Sequence, residues 1–406
     1  MGQFIVNGGR ALCGEISVGG SKNAALPIIF SCITVYGVST LTNVPDISDV
    51  AVAFDILSDL GAVINRTKES VTVDTRALSY RTPNEELVSK IRASSYLIGA
   101  CLSRFGRAEI QHFGGCNFDN RPIDMHLMAA QALGAEIDNS LITADELSGA
   151  DIHFEKVSVG ATINAILMSV SAKGKTRIFG YAREPHIIAL IEFLSGAGAK
   201  ISLTEEYIEI EGAHLTSSNA EIITDMIEAG TYLTLSLVTG SQIKVIGADK
   251  QQLSSFLEML LYSGAVIEYD GASVTVNGKI TGSPNIITAP YPAFPTDLQP
   301  VVAPLLAAFC GGRITEGVWY NRFGYLSELA KFGVRYELGC RYAEIKKSTF
   351  NNARATAPDL RGGAALLISA LKAEGESIID SAELIKRGYS DIVSKLLSVG
   401  ADIKEF

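Results

Sequence analysis

Nowhere does this chain run to the roughly 18 unbroken apolar residues that a membrane-spanning helix needs. Its best candidate, residues 301–310, is short and is closed by Gly311, Gly312 and Arg313. The opening residues, Met1, Gly2, Gln3, Phe4, Ile5, Val6 and Asn7, carry no basic stretch and no long apolar region, so no export signal is read and a cytoplasmic protein is expected. Cysteine is sparse and scattered: Cys13, Cys32, Cys101, Cys116, Cys310 and Cys340 include no C-x-x-C, which argues against a zinc site and against a disulfide framework. His112, His126, His153, His186 and His214 form no pair at metal or triad spacing and receive no role. Also missing are a G-x-x-x-x-G-K-[ST] loop, a G-x-G-x-x-G turn and a G-x-S-x-G elbow, which argues against ATPase, dehydrogenase and esterase chemistry. Positive charge is in deficit, with 34 Lys and Arg against 44 Asp and Glu. A nucleic-acid binder needs the reverse, although a few clustered cations can still hold a small anion.

What is present describes a compact globule of two or three domains: 406 residues, 47% hydrophobic and only 19% charged. A short element recurs along it, a helix tail running into glycine and then a small alternating strand, with the glycines at Gly61, Gly134, Gly198, Gly264, Gly333 and Gly400. The spacings are 64 to 73 residues, so the chain is read as six repeats. Glycine at these points is expected to end a helix in the left-handed conformation. Each repeat also carries a second helix, followed by glycine and a strand at Gly37, Gly106, Gly174, Gly240, Gly312 and Gly375.

That second helix is apolar on most sides, as in residues 24–33, 161–170 and 364–371, and a helix apolar all round is buried. The other helix, as in residues 49–60, 186–194, 252–261 and 392–397, is amphipathic and belongs on an outer layer. The expected architecture is α/β: a two-domain inside-out α/β barrel built from six repeats, helices inside and sheets around them, with an active-site cleft between the lobes. The first lobe is set at residues 22–224. The second takes 1–21 and 225–406, with the N-terminal strand completing it.

Residues with chemical potential stand at equivalent points of the repeats. Lys22 and Asn23, Arg92, Ser158, Glu228, Asp297 and Arg361 lie at the start of the buried helix, where unpaired N–H groups and a partial positive charge suit phosphate or carboxylate. Loops after the following strand carry Cys116 to Asp124, Arg183 and Glu184, Asn321 and Arg322, and Lys386 and Arg387. In the cysteine loop, Gly114 and Gly115 free the backbone, Cys116 follows at once, and Arg121 stands against Pro122 near Asp124. A thiol near fixed positive charge has a lowered pKa and can act as acid, base or nucleophile. An isolated lysine at a helix start, as Lys22 is in sequence, reads as a solvated cap. Asp297 reads either as a helix-start carboxylate or as a general base held in place by Pro290, Pro292 and Pro295.

These motifs, taken in order, resemble the UDP-N-acetylglucosamine 1-carboxyvinyltransferases, enolpyruvyl transferases that open peptidoglycan precursor synthesis and cell wall biogenesis. The resemblance runs nearly end to end: Gly20-Ser21-Lys22-Asn23-Ala24-Ala25-Leu26-Pro27, Arg92-Ala93-Ser94, the Cys116 loop to Asp124, Lys156-Val157-Ser158-Val159-Gly160, Pro292-Ala293-Phe294-Pro295-Thr296-Asp297, Asn321-Arg322-Phe323, Asp359-Leu360-Arg361 and Arg387-Gly388-Tyr389. It implies that phosphoenolpyruvate and UDP-N-acetylglucosamine are the substrates, with no cofactor, no metal, no nucleic acid and no membrane. The sugar 3-hydroxyl adds to C2 of phosphoenolpyruvate, C3 is protonated, and phosphate is eliminated. By the same resemblance Cys116 delivers the C3 proton and is the thiol that fosfomycin alkylates; the Gly114-Gly115 pair beside it is flexible, so the loop is expected to close over substrate and exclude water. Asp297 manages the proton of the acceptor hydroxyl. Lys22, Arg121 and Arg387 hold the phosphate, with Arg92, Arg322 and Arg361 lining the same positive cleft. Asn23, Thr296 and Val318 face the sugar. Arg121, Pro122, Ile123, Asp124 and Met125, with Lys156, Ser158, Val159 and Gly160, surround the uridine and its phosphates.

The chain departs from the family's usual runs in places that bear on the acceptor: Leu384-Ile385-Lys386 before Arg387, which removes an acid and adds a base, Phe118-Asp119 in the cysteine loop, and Val318-Trp319-Tyr320 and Gly324-Tyr325. Two alternatives therefore stand beside transfer to UDP-N-acetylglucosamine: the same transfer to another uridine nucleotide, and a paralogue that binds the UDP-sugar without turning it over.

Overall fold

A computed structural model describes residues 2–114 and 122–406. The chain divides into two compact units, a first of Gly20–Ile223 and a second made of residues up to Gly19 together with Thr224–Phe406. Three helices run through the first unit, α1 (Lys22–Ser31), α2 (Leu97–Phe105) and α3 (Val159–Ser169). Three run through the second, α4 (Met226–Thr239), α5 (Gln299–Ala308) and α6 (Leu360–Lys372). Their apolar residues are buried on every side, as Ala24, Ile28, Ile29 and Phe30 of α1 and Val301, Val302, Leu305 and Leu306 of α5 show. Small residues let these helices come close to their neighbours. A Cβ added at Gly99 of α2 would stand 2.7 Å from Asn164 Oδ1 of α3, and one at Gly230 of α4 would stand 2.7 Å from Leu298.

After each buried helix comes a strand: β1 (Val38–Thr42), β2 (Arg107–Glu109), β3 (Lys175–Phe179), β4 (Gln242–Ile246), β5 (Gly312–Glu316) and β6 (Gly375–Asp380). Each of these strands sits in its own sheet. Five of the sheets have four strands, and in each of the five the strand pairs parallel with one neighbour and antiparallel with the other. In the first sheet β1 lies between Asn219–Glu221 and Ser70–Asp74, with Leu41 opposite Val71 and Ser39 opposite Val73. The alternation puts Leu41, Val71 and Val73 on the buried face. The sheet of β2 has three strands among the described residues. Amphipathic helices such as Ser48–Asp59, Pro185–Gly196, Ser254–Tyr262 and Ile392–Ser398 bury one side.

The N-terminal residues complete the second unit twice. Gln3–Gly8 lies between β6 and Asp402–Glu405, in the place that a hairpin strand fills in the other repeats. Cys13–Ser17 then pairs parallel with β4, Ile16 opposite Val245.

The six repeat glycines all take positive φ, between +89° and +109°, directly after the outer helix or its terminal turn. After each buried helix a glycine of positive φ turns the chain toward its strand: Gly37, Gly106, Gly174, Gly240, Gly311 and Gly375. Gly106 and Gly240 cap α2 and α4 directly, and in the fifth repeat Gly311 takes φ +75° while the expected Gly312 opens β5.

Substitution at two of these glycines separates backbone strain from crowding. At Gly400 (φ +92°) an added Cβ meets nothing within 4 Å, whereas at Gly333 (φ +89°) it comes within 2.5 Å of the Thr349 carbonyl oxygen. Gly400→Ala is expected to cost about 1 to 2 kcal/mol, the strain alone, and Gly333→Ala clearly more. Urea unfolding of the two variants, which lie in the same unit, measures the difference; equal losses would contradict it.

Candidate active site

Polar residues of the second unit gather where α5 and α6 begin. Pro295 is extended and delivers the chain into a 3-10 turn, Thr296–Leu298, ahead of α5. Asp297 on that turn is held by two guanidinium groups: Arg322 Nη2 donates to Oδ1 at 2.7 Å and Arg361 Nη2 reaches Oδ2 at 3.5 Å. Arg361 is the second residue of α6, whose N-cap Asp359 accepts from the Arg361 and Gly362 backbone N–H at 2.8 and 2.9 Å. Both arginine side chains are almost wholly buried, at 7% and 3% exposed, against 30% for Asp297. Burial works against the charge on Arg361, but Tyr389, Asp297 and Asp225 overcome it and hold its pKa above that of an ordinary arginine. Its guanidinium carbon lies 5.2 Å from the centre of the Tyr389 ring, and the Tyr389 hydroxyl meets Thr231 Oγ1 at 2.9 Å.

A second carboxylate underlies this group. Glu316 ends β5 on its inward face and is fully buried. Its Oε1 accepts from Thr288 Oγ1 at 2.7 Å and from the backbone N–H of Val318 at 2.9 Å and Trp319 at 3.1 Å. Its Oε2 accepts from Thr296 Oγ1 at 2.9 Å, and Thr296 Oγ1 in turn accepts from Arg322 Nη1 at 3.2 Å. Thr296, Val318, Arg322, Asp297 and Arg361 are thus one connected set. Arg387 lies half-buried at the end of the short helix Glu383–Lys386. Lys386, read from sequence as a base added near the phosphate, pairs with Glu405 at 2.7 Å on an exposed edge.

In the first unit Lys22 opens α1 and pairs with Asp49 at 2.6 Å, the two side chains 11% and 6% exposed. This corrects the solvated-cap reading: the ammonium is buried, and the acid that balances it sits in the first turn of Ser48–Asp59. Asn23 follows, half-buried. Arg92 opens a 3-10 turn, Arg92–Tyr96, that leads into α2. Ser158 caps α3, its Oγ accepting from the Ala161 N–H at 3.3 Å, and Val159 and Gly160 form the first turn. Asp124 and Met125 begin the helix Asp124–Ala132, with Ile123 just before it and Pro122 and Lys156 exposed. Cys116 and Arg121, with the loop between them, lie outside the described residues.

His126, assigned no role from its spacing, joins these pieces. It is 4% exposed and packs on Gly160, where a Cβ would fall 3.0 Å from His126 Cε1. Asn164 Oδ1 accepts from the Gly99 N–H at 2.6 Å, which turns its Nδ2 toward His126 Nδ1 at 2.8 Å. Nδ1 is therefore the acceptor and the neutral ring carries its proton on Nε2. Burial lowers the His126 pKa to about 4, the Arg92 charge acts the same way, and Asp124 opposes them. The signal that would have exposed Glu316 is a carboxylate at an inward position of an alternating strand. His126, Asp49 and Asn164 gave no comparable signal.

Comparison with known proteins places this geometry. The family model described as EPSP synthase (3-phosphoshikimate 1-carboxyvinyltransferase) matches residues 6–396, and the chain belongs to that family of enolpyruvyl transferases. Within it, the chain is 39% identical to UDP-N-acetylglucosamine 1-carboxyvinyltransferase of Halothermothrix orenii over 414 residues, covering 100% of both chains. It is equally 39% identical to UDP-N-acetylglucosamine 1-carboxyvinyltransferase 2 of Listeria monocytogenes, covering 99% of this chain and 97% of that one. In fold it is similar to the enolpyruvyl transferase NikO of Streptomyces tendae, with TM-score 0.90, 24% identity, and 100% and 99% of the two chains covered. EPSP synthase of Acinetobacter baumannii follows at TM-score 0.74 and 16% identity over the whole of both chains. No helix among the described residues is long and apolar enough to cross a membrane.

His126 makes stability depend on pH. Its folded pKa of about 4 lies below the ordinary value of 6.5, so its contribution is whole above 6.5 and is lost as pH falls toward 4. Between pH 7 and pH 5 that is about 2 kcal/mol. His126→Asn keeps an acceptor for Asn164 but cannot take up a proton. Urea midpoints should show a drop on acidification that is smaller in the variant by that amount; parallel drops would refute the assignment.

Proposed function

We propose that this enzyme transfers the enolpyruvyl group of phosphoenolpyruvate to the 3-hydroxyl of UDP-N-acetylglucosamine and releases phosphate, in the cytoplasm, as the first committed step of peptidoglycan precursor synthesis. The observation that carries the reading is the full-length kinship, at 39% identity, with proteins named for transfer of this group to this acceptor. The chemistry of the residues supports it. Both substrates are multiply anionic, and Lys22, Arg92, Arg322, Arg361 and Arg387 supply positive charge at helix starts and loops of an otherwise acidic chain.

Each residue has a part in this reading. Asp297, oriented by Arg322 and Arg361, takes the proton of the acceptor hydroxyl as the oxygen attacks C2. Cys116 gives a proton to C3, and loss of a C3 proton with phosphate restores the double bond in the product. Lys22, Arg121 and Arg387 hold the phosphate that leaves. Asn23, Thr296 and Val318 face the sugar, and the residues from Arg121 to Met125 and from Lys156 to Gly160 take the nucleotide.

Phosphate release on mixing the protein with phosphoenolpyruvate and UDP-N-acetylglucosamine tests the function. Release only with a different uridine nucleotide would move the acceptor; nucleotide binding with no release from any acceptor would make the chain a non-catalytic binder. Cys116→Ser and Asp297→Asn are each expected to lower kcat by about 10²- to 10⁴-fold with nucleotide affinity kept. Asp297→Ala is the poorer variant, because it leaves two buried guanidinium groups without their carboxylate, at a cost of about 3 kcal/mol or more in stability. Full activity in Cys116→Ser or Asp297→Asn would remove that residue from the mechanism.

A further inference from the structure

We infer that Glu316 is a positioning residue for the acceptor: its buried carboxylate fixes the direction of the Thr296 hydroxyl and the path of the Val318 backbone. The inference rests on the function proposed above and assigns the residue that organises its acceptor side.

The argument is one of donors and acceptors. A hydroxyl has one proton, and that of Thr296 is given to Glu316 Oε2 at 2.9 Å. One of its lone pairs is taken by Arg322 Nη1 at 3.2 Å. What remains on Thr296 is a lone pair, so toward a sugar hydroxyl Thr296 can only accept. The direction is locked from the far side. Glu316 Oε1 already faces three donors, Thr288 Oγ1 and the Val318 and Trp319 N–H groups, which tolerate an acceptor and no other group. The main-chain oxygen of Glu316 accepts from Arg341 Nε at 3.0 Å, which ties the same residue to the neighbouring hairpin. Full burial keeps water from substituting for any of these bonds.

An amide at this position therefore has one acceptable orientation. In Glu316→Gln the amide oxygen must replace Oε1 before its three donors, and the amide nitrogen then faces Thr296 as a donor. The Thr296 proton is displaced from its place and turns outward, so the group that accepted from the sugar now donates. Arg322 keeps its acceptor, because the second lone pair of Thr296 still faces Nη1 and its bond to Asp297 is untouched, so the change falls on the acceptor hydroxyl. The reacting hydroxyl is misdirected more than substrate is lost, so kcat should fall further than the KM for the acceptor rises.

The test is a double-mutant cycle with Thr296→Val, followed by phosphate release. Each single variant is expected to lower kcat by roughly 10- to 100-fold, with the KM for phosphoenolpyruvate unchanged. The double variant should be no worse than the poorer single one, because Glu316 acts through Thr296. Losses that multiply in the double variant, or wild-type kcat in Glu316→Gln, would overturn the inference while leaving the function standing. A wild-type protein that releases no phosphate from this pair would overturn the function, and the inference with it. If Glu316→Gln does not fold, Thr296→Ser is compared with Thr296→Val: the serine keeps a hydroxyl for Glu316 to direct and should hold kcat near wild type, and equal losses in the two variants would overturn the inference.

Discussion

Six helices buried on every side leave little room for charge along their length, so charged groups gather at the turns where the helices begin and in the loops beside them. Along their length any charged residue would meet only apolar neighbours, at a cost that pairing seldom recovers. At the start the backbone itself offers unpaired N–H groups and a partial positive charge. Lys22, Arg92, Ser158, Asp297 and Arg361 all stand at such starts or on the short turn leading into them. The chemistry of the molecule is therefore confined by its packing.

Confinement brings a second requirement, that buried charges find a counter-charge or hydrogen-bond donors on other elements. Lys22 finds Asp49, and Arg322 and Arg361 share Asp297. Glu228 in the first turn of α4 is balanced by Lys395 at 2.6 Å and by the Gly19 N–H at 2.8 Å, although burial still pushes its carboxyl pKa up. These pairs hold cations in a dry setting, where their field on an anionic ligand is little screened. They also tie helix starts to the loops and outer helices around them.

The repeats were legible because a helix that must end in a left-handed residue advertises it with glycine. In the fifth repeat Gly312 opens the strand as read, and the turn itself falls on the adjacent Gly311, which is chemically alike and gives no separate signal. The buried helices were legible from apolar residues on all faces, and the helix-start residues from their place in the repeat. The counter-charges were hidden because they depend on distance in space: Glu316 draws Thr296 and Thr288 from 20 and 28 residues away. Lys22 looked like a surface lysine for the same reason. His126 was missed because nothing local marks a histidine whose partner, Asn164, lies on another helix.

The placement of the N-terminal strands has a consequence for how the chain is made. Gln3–Gly8 finds its sheet partners in Gly375–Asp380 and Asp402–Glu405, which are synthesised after the whole of the first unit. The first unit, by contrast, is one unbroken segment whose sheets draw on no residue after Ile223. On the ribosome it can close while Gln3–Gly8 is still unpaired, so that strand settles after a unit that is made later than it.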